Sequence, residues 1–509
     1  MGQFRRLSRL LILALLLGAC LWIAWRVPYA HDDWDWGLPQ GLRWWLSGEM
    51  NNRYCGSFFV IMMTRSQVIK TLVMGITMFA LPIMAARIAA DRYPEHRFPL
   101  AVLGCAALMA MPLGSWRQTY GWVSAFANFV VAGVWILALI ALIQLDLKRN
   151  GRGKAIPIAV FPLALTAQLF VENVTVVLTA AALVFAVWAW RTGRNRPVAF
   201  SVFGGAVIGL VLMLYNPLYS DLLSTGTAVN GVRRLIFPLD AGLVKIVTAI
   251  LERFFCLILP DLFECYPVLW ALVCAGGIWR ALRAGRPWPV VMIAGLFSSA
   301  VLLACYCTMY NTSQGLESPQ LLTVVRVAGP VMVCILLLLV LISDPDRHLR
   351  LYGLGLLAAV IALAAPFAVL WERGPRCCFP SAVLLLLMGL LLLHDFPWNI
   401  PFTTVAVLLL GVTVVFHMRA YQVIGACSAL REQLLQETVE QGSSSVILPT
   451  EDWDYFYFWV RNPSSEPRAA SFRAFYGLPE DLELLFLQPG TFDVWPDITP
   501  EMIYYGTVR

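Results

Sequence analysis

The segment His31-Asp32-Asp33-Trp34-Asp35-Trp36-Gly37 places three carboxylates within four residues, directly after an apolar run. Carboxylates this close repel one another unless a cation, a proton or an arginine offsets them. An acid in such a position can take a proton from an acceptor hydroxyl, and a pair can hold a divalent ion, Mg or Mn, against a phosphate. The tryptophans alone would suit the aromatic belt at a membrane boundary, but carboxylates are not expected in a belt. The same segment continues through Arg43, Trp44, Trp45 and Glu49 to Asn51-Asn52-Arg53-Tyr54 and Arg65.

Four other groups have chemistry to offer. Glu172-Asn173 lies between two apolar runs with no charged neighbour in sequence, so the acid is either functional or half of a buried pair. Arg233-Arg234 matches phosphate oxygens through its guanidinium forks, or reaches lipid headgroups. Glu372-Arg373-Gly374-Pro375-Arg376 sets cations at the end of another apolar run. Trp116-Arg117-Gln118, with Tyr120 and Trp122, suits stacking on sugar rings, and a belt explains it equally well.

The elements that must position these groups follow from composition. A soluble chain of 509 residues would form about three domains. Here hydrophobic residues make up 59% and charged residues 13%, against roughly 25% charged in an ordinary globular protein. The mean hydropathy is +0.72. So few charges cannot cover a water-soluble surface, which excludes a cytosolic enzyme, a disordered chain and a small disulfide scaffold. A polytopic membrane protein remains.

Apolar runs of suitable length predict about thirteen spans. They are centred on 9–26, 69–88, 98–113, 124–144, 155–171, 174–190, 197–215, 265–280, 289–307, 323–343, 351–370, 380–394 and 400–418. Lys and Arg concentrate in alternate loops, among them Arg5 and Arg6, Arg87 and Arg92, Lys148 and Arg149, Arg191 and Arg194, Arg280 and Arg283, and Arg347 and Arg350. The positive-inside rule assigns these to the cytoplasm, with the N-terminus. The loops 27–68, 216–264 and 371–379 then face outward, as does the tail. Leu17-Gly18-Ala19-Cys20 resembles a lipoprotein cleavage site, but the many later spans favour an uncleaved first helix.

Charge also divides the chain. Residues 420–509 hold 5 basic and 13 acidic side chains, against 32 and 18 in the first 419. The cationic excess is therefore topological, and no nucleic-acid partner is expected. The predicted organisation is an all-α membrane domain over 1–420, an amphipathic helix and linker over 421–445, and a small extracytoplasmic α+β domain over 446–509. Strands are expected at 454–460, 484–487 and 502–505 around a helix at 469–476. Cys55, Cys265 and the vicinal Cys377-Cys378 lie in the outward set, where a disulfide could form.

These features together resemble the GT-C class of integral membrane glycosyltransferases, and within it a bacterial cell-surface glycan subfamily. The resemblance rests on the layout and on short stretches: His31 to Gly37, Asn51-Asn52-Arg53-Tyr54-Cys55-Gly56, Glu172-Asn173-Val174, Gly231-Val232-Arg233-Arg234 and Gly374-Pro375-Arg376-Cys377-Cys378-Phe379. It implies a multi-pass protein of the bacterial inner (plasma) membrane. Such an enzyme transfers a sugar from a polyprenyl-phosphate donor to a cell-surface glycan on the extracytoplasmic face, usually with inversion. It further implies that Asp32 or Asp33 is the base, the other orienting the acceptor or binding a divalent metal. Arg376 with Arg233 or Arg234 would face the departing phosphate, and Glu172 would bind hydroxyls. Asp35, Arg53 and Arg65 complete the expected substrate-binding set. The chain departs from the pattern at Asn52, where a glycine usually precedes the arginine, and in having three loop acids.

A transporter or flippase of lipid-linked saccharides would instead place charges near the midplane and show internal repeats. Neither is visible here. A polymerase or ligase would centre on arginine and histidine, yet His31 alone of 5 histidines is clearly outward.

Overall fold

The structure, a computed structural model, describes residues 2–151, 153–228, 234–285, 295, 319–371, 373–450, 456–463 and 465–487. Arg233, Glu372, nearly all of the expected span 289–307 and the expected strand 502–505 lie outside the described residues.

The chain is a helical membrane protein. Among the described residues, eight helices are long and apolar enough to cross a membrane, or nine if one bent pair counts as a span. The sequence predicts more, and length explains much of the difference. Ala155–Gln168 has 14 residues and Pro267–Arg283 has 17, short of the ~20 that a straight crossing needs. The expected span 98–113 is instead the bent pair, turning by 97° between Met109 and Leu113. Pro112 sits at that turn with an extended backbone, and proline ends the helix before it.

Phe379–Leu392 runs through the centre of the bundle, with all of its residues buried. Glycines set its distance from a neighbour. A Cβ on Gly276 would lie 2.5 Å from Leu392 Cβ, and one on Gly389 would lie 2.8 Å from Leu272 Cγ. Helix Pro267–Arg283 therefore packs closer than larger side chains would permit. Ala155–Gln168, Glu172–Thr192 and Arg196–Leu214 pack to one side around their own small core, which includes Val160, Ala182 and Val202.

The basic loops meet at one end of the bundle. Arg280 bonds Asp344 at 2.7 Å and Asp395 at 2.5 Å, and Arg92 reaches Asp346 at 2.8 Å. Lys148 pairs with Asp91 nearby. The acid-rich connector that follows the first helix, Gly2–Arg26, lies at the other end.

That connector is less a loop than a set of short helices: Asp33–Gly37, Pro39–Ser47 and Tyr54–Arg65. The expected break near 420 is absent. Ile400–Gln441 is one helix of 42 residues, about 63 Å long. Met418-Arg419-Ala420-Tyr421 contains no helix breaker, and Tyr421 and Ile424 are fully buried, so the helix continues beyond its apolar half.

Its far half carries a small C-terminal unit. Ser445–Leu448 pairs in parallel with Glu483–Phe486, Ser445 opposite Glu483, and helix Glu466–Tyr476 connects them. The strand at 445–448 replaces the one expected at 454–460, whose described part, 456–460, has no strand. These aromatics pack on the bundle instead: Trp459 N–H donates to Gly121 O at 3.0 Å, and Tyr421 OH donates to Tyr457 O at 2.7 Å. Gly121 is required there, because a Cβ would fall 2.0 Å from Tyr457 O. Gly121→Ala is expected to displace segment 456–460 at a cost of about 1–3 kcal/mol. Limited proteolysis should then cut within 441–465 faster, while the membrane domain stays intact.

Candidate active site

The acid-rich motif divides its work. Trp34 is buried in the core of the C-terminal unit with Leu448 and Phe472, meeting the Phe472 ring edge-on at 5.2 Å. Asp35 accepts from Ser471 Oγ at 2.5 Å and Gln40 Nε2 at 3.1 Å, and pairs with Arg468. Gly37 lies so close to Phe475 that any side chain would collide with the ring. Asp35, expected to bind substrate, thus clamps the C-terminal unit to the bundle.

Asp33 is fully buried and fixes the connector. Its Oδ2 accepts from Ala30 N at 2.9 Å, and its Oδ1 accepts from Ser124 N at 2.8 Å and from the Ser124 hydroxyl. Burial, followed by the charge of Asp32, pushes its carboxyl up to about 8 against these opposing donors. His31, just before, holds a left-handed φ of 54°, a strained conformation that a non-glycine residue adopts only where its surroundings impose it.

The strained turn presents Asp32 on the open side, with 31% of its side chain exposed. Asp32 Oδ1 accepts from Trp122 Nε1 at 3.0 Å. Trp122 stacks on Trp459, ring centroids 5.1 Å apart and planes 13° apart. The Arg376 guanidinium lies 5.1 Å from the Trp122 ring and 5.9 Å from the Trp459 ring, held by Gln118 Oε1 at 3.1 Å. Arg117 covers Trp459 at 5.7 Å. Nearby, His31 Nδ1, Arg117 Nε and Trp459 Nε1 are buried and make no hydrogen bond among the described residues.

Arg53 forks onto Glu172, with Nη2 at 2.6 Å and Nε at 3.2 Å, and Tyr219 OH donates to the same carboxylate at 2.7 Å. Arg53 also lies over Phe129, 5.7 Å away. Phe129 belongs to a π-helical turn, Phe126–Val130, that begins two residues after Ser124. This widened turn joins the Asp33 anchor to the Arg53–Glu172 pair, a placement common for π-bulges near functional sites.

Asp32 and Arg376 are thus brought together on one indole, and Asp33 supports them. Arg53 and Glu172 are brought to each other. Arg65 turns away, its Nη2 donating to Leu38 O at 2.7 Å. Arg234 is exposed, and its carbonyl accepts from Trp371 N at 2.8 Å, so it reaches segment 369–371 through its backbone. The described cysteines have free thiols. Among the described residues no three His, Cys, Asp or Glu side chains group to hold a metal. Both Asp33 oxygens already accept hydrogen bonds, so a metal bridging Asp32 and Asp33 fits poorly.

A second charged group was not anticipated. Arg326 pairs with Asp261 at 3.3 Å and with Glu264, and Arg373 bonds Asp261 at 2.5 Å. Burial raises the Asp261 carboxyl, with Arg373 acting against it. The available signal was Arg326 inside an apolar run, since a charge in such a place needs a partner. Trp459, read as part of a strand, gave no signal because its partner Trp122 is over three hundred residues away. No family model, curated protein or solved structure matches this chain.

Proposed function

We propose that this protein is a GT-C-like membrane glycosyltransferase that moves a sugar from a polyprenyl-phosphate donor to a cell-surface glycan at the extracytoplasmic face of a bacterial inner membrane. The observation that supports the reading is that a partly exposed carboxylate, Asp32, and a guanidinium, Arg376, meet on one indole, Trp122. The gathering of basic loops at the opposite end supports the orientation.

Asp32 takes the proton from the acceptor hydroxyl. The acceptor oxygen then bonds to the anomeric carbon from the face opposite the phosphate. The bond from that carbon to the phosphate oxygen breaks, its electron pair leaving on the phosphate, and configuration inverts. Arg376, preorganised by Gln118, faces the charge growing on the leaving group, where a fixed cation contributes most. Trp459, partly exposed and stacked on the buried Trp122, is the aromatic surface available to a sugar ring in this reading. In this reading Glu172, held by Arg53 and Tyr219, accepts from a substrate hydroxyl in exchange for the Tyr219 hydroxyl.

Arg376→Gln tests this directly. In membranes supplied with a lipid-linked sugar, transfer should fall about 10²-fold with protein amount unchanged. Transfer at the wild-type rate would reject the assignment of Arg376 to the phosphate.

A further inference from the structure

Arg376 lies on a short segment between helices Arg347–Ala364 and Phe379–Leu392. There Pro375–Cys378 forms one turn of 3-10 helix, closed by Cys377 N donating to Gly374 O at 3.0 Å. A single turn gains too few bonds of its own to offset the ordering of its residues, so its neighbours must hold it.

The two carbonyls that flank Arg376 supply that hold. Pro375 O accepts from Tyr266 OH at 2.7 Å, and Cys377 O accepts from Asn173 Nδ2 at 3.3 Å. Both donors are themselves packed in place. Tyr266 is buried at the junction of helices Leu259–Cys265 and Pro267–Arg283, where Ser115 Oγ donates to the neighbouring Cys265 O at 2.6 Å. Asn173 is buried in the first turn of helix Glu172–Thr192 and also donates to Leu363 O at 3.0 Å.

The guanidinium is held from a related direction. Gln118, whose Oε1 accepts from Arg376, shares helix Leu113–Thr119 with Ser115. One short helix therefore reaches Arg376 directly, and Tyr266 through Cys265. A Cβ on Gly374 would lie 2.8 Å from Gln118 Oε1, so the segment rests against that side chain.

Arginine has much rotamer freedom to lose, and a cation stabilises growing charge best when it need not reorganise during the reaction. Anchors on both flanking carbonyls set the direction in which the Arg376 side chain leaves the backbone. We infer that Tyr266 and Asn173 are positioning residues, which act through Pro375 O and Cys377 O to aim Arg376 at the phosphate of the donor. The inference rests on the assignment of Arg376 to the departing phosphate. Because Asn173 follows Glu172, one helix start then sets both the hydroxyl acceptor and the cation.

The test follows sugar transfer in membranes that hold equal amounts of each full-length variant. Reaction is started with a dilution series of the lipid extract of a deletion strain, in which unused donor collects. Tyr266→Phe removes one hydroxyl and keeps the ring. It should lower the saturated rate about tenfold and leave the half-saturating amount of extract within about twofold, because misaiming Arg376 weakens the transition state and not donor binding. Asn173→Ala should act in the same way. In the Arg376→Gln background each substitution should cost less than about twofold more, because the group through which it acts is gone, whereas a merely structural loss would multiply. Either residue loses its role if its variant transfers at the wild-type rate while Arg376→Gln is slow, and the reading of the site then stands. A full further loss in the double variants also overturns the inference. Transfer by Arg376→Gln at the wild-type rate overturns both the inference and the assignment on which it rests.

Discussion

Asp32→Asn is expected to lower sugar transfer by about 10²–10⁴-fold, the range that a general base contributes. The amide keeps an oxygen to accept from Trp122 Nε1, so the stacked tryptophans and Arg376 stay in place. What is lost is the ability to take a proton. Asp32 is partly exposed and not part of a packed core, so the variant should accumulate to the wild-type level. Initial rates in membrane vesicles, normalised to protein, measure the effect. A rate within about threefold of wild type would remove Asp32 from the chemistry.

Asp33→Ala has a different expected result: loss of the fold around the site. The substitution strands the Ala30 and Ser124 amides and the Ser124 hydroxyl, all buried. An unsatisfied buried donor costs about 1–3 kcal/mol, and the three together should remove at least about 3 kcal/mol. Asp33→Asn keeps acceptor oxygen toward Ser124 and should fold.

The pair also makes a prediction about pH. The Asp33 carboxyl is raised from the ordinary 3.8 to about 8, so between these values the folded chain holds a proton that the unfolded chain has released. Its stabilising contribution is full below the unfolded value and declines as pH rises, being lost once pH passes the folded value. The unfolding midpoint of wild type should therefore fall from pH 5 to pH 9, and Asp33→Asn should show a flatter profile. Equal slopes in the two proteins would contradict the buried protonated state of Asp33.

Much of this site is legible in the sequence, and what is not has physical reasons. Periodicity and charge place the helices, the acid-rich connector and the cations after residue 371, because each is a local property of the chain. Charge spacing also singles out Asp32 and Asp33. It cannot separate their roles, which depend on Ser124 and Trp122 about ninety residues on. By spacing alone Trp34, Asp35 and Gly37 belong to a chemical motif, yet Phe472, Arg468 and Phe475 turn them into a clamp. A partner more than four hundred residues away leaves no trace in local spacing. Hydropathy divides the long helix at 420 because its apolar half ends there, although a helix continues wherever its buried face continues, as Tyr421, Ile424 and Cys427 show.

The central claim is that Asp32 and Arg376 transfer a lipid-linked sugar to a surface glycan. The most direct measurement is mass spectrometry of surface glycans and lipid-linked sugars from a deletion strain, complemented with wild type or Asp32→Asn at equal protein levels. The account predicts that one sugar substituent is missing in the deletion strain and with Asp32→Asn, that its polyprenyl-phosphate donor accumulates, and that wild type restores both. An unchanged glycan and donor pool in the Asp32→Asn strain would contradict it.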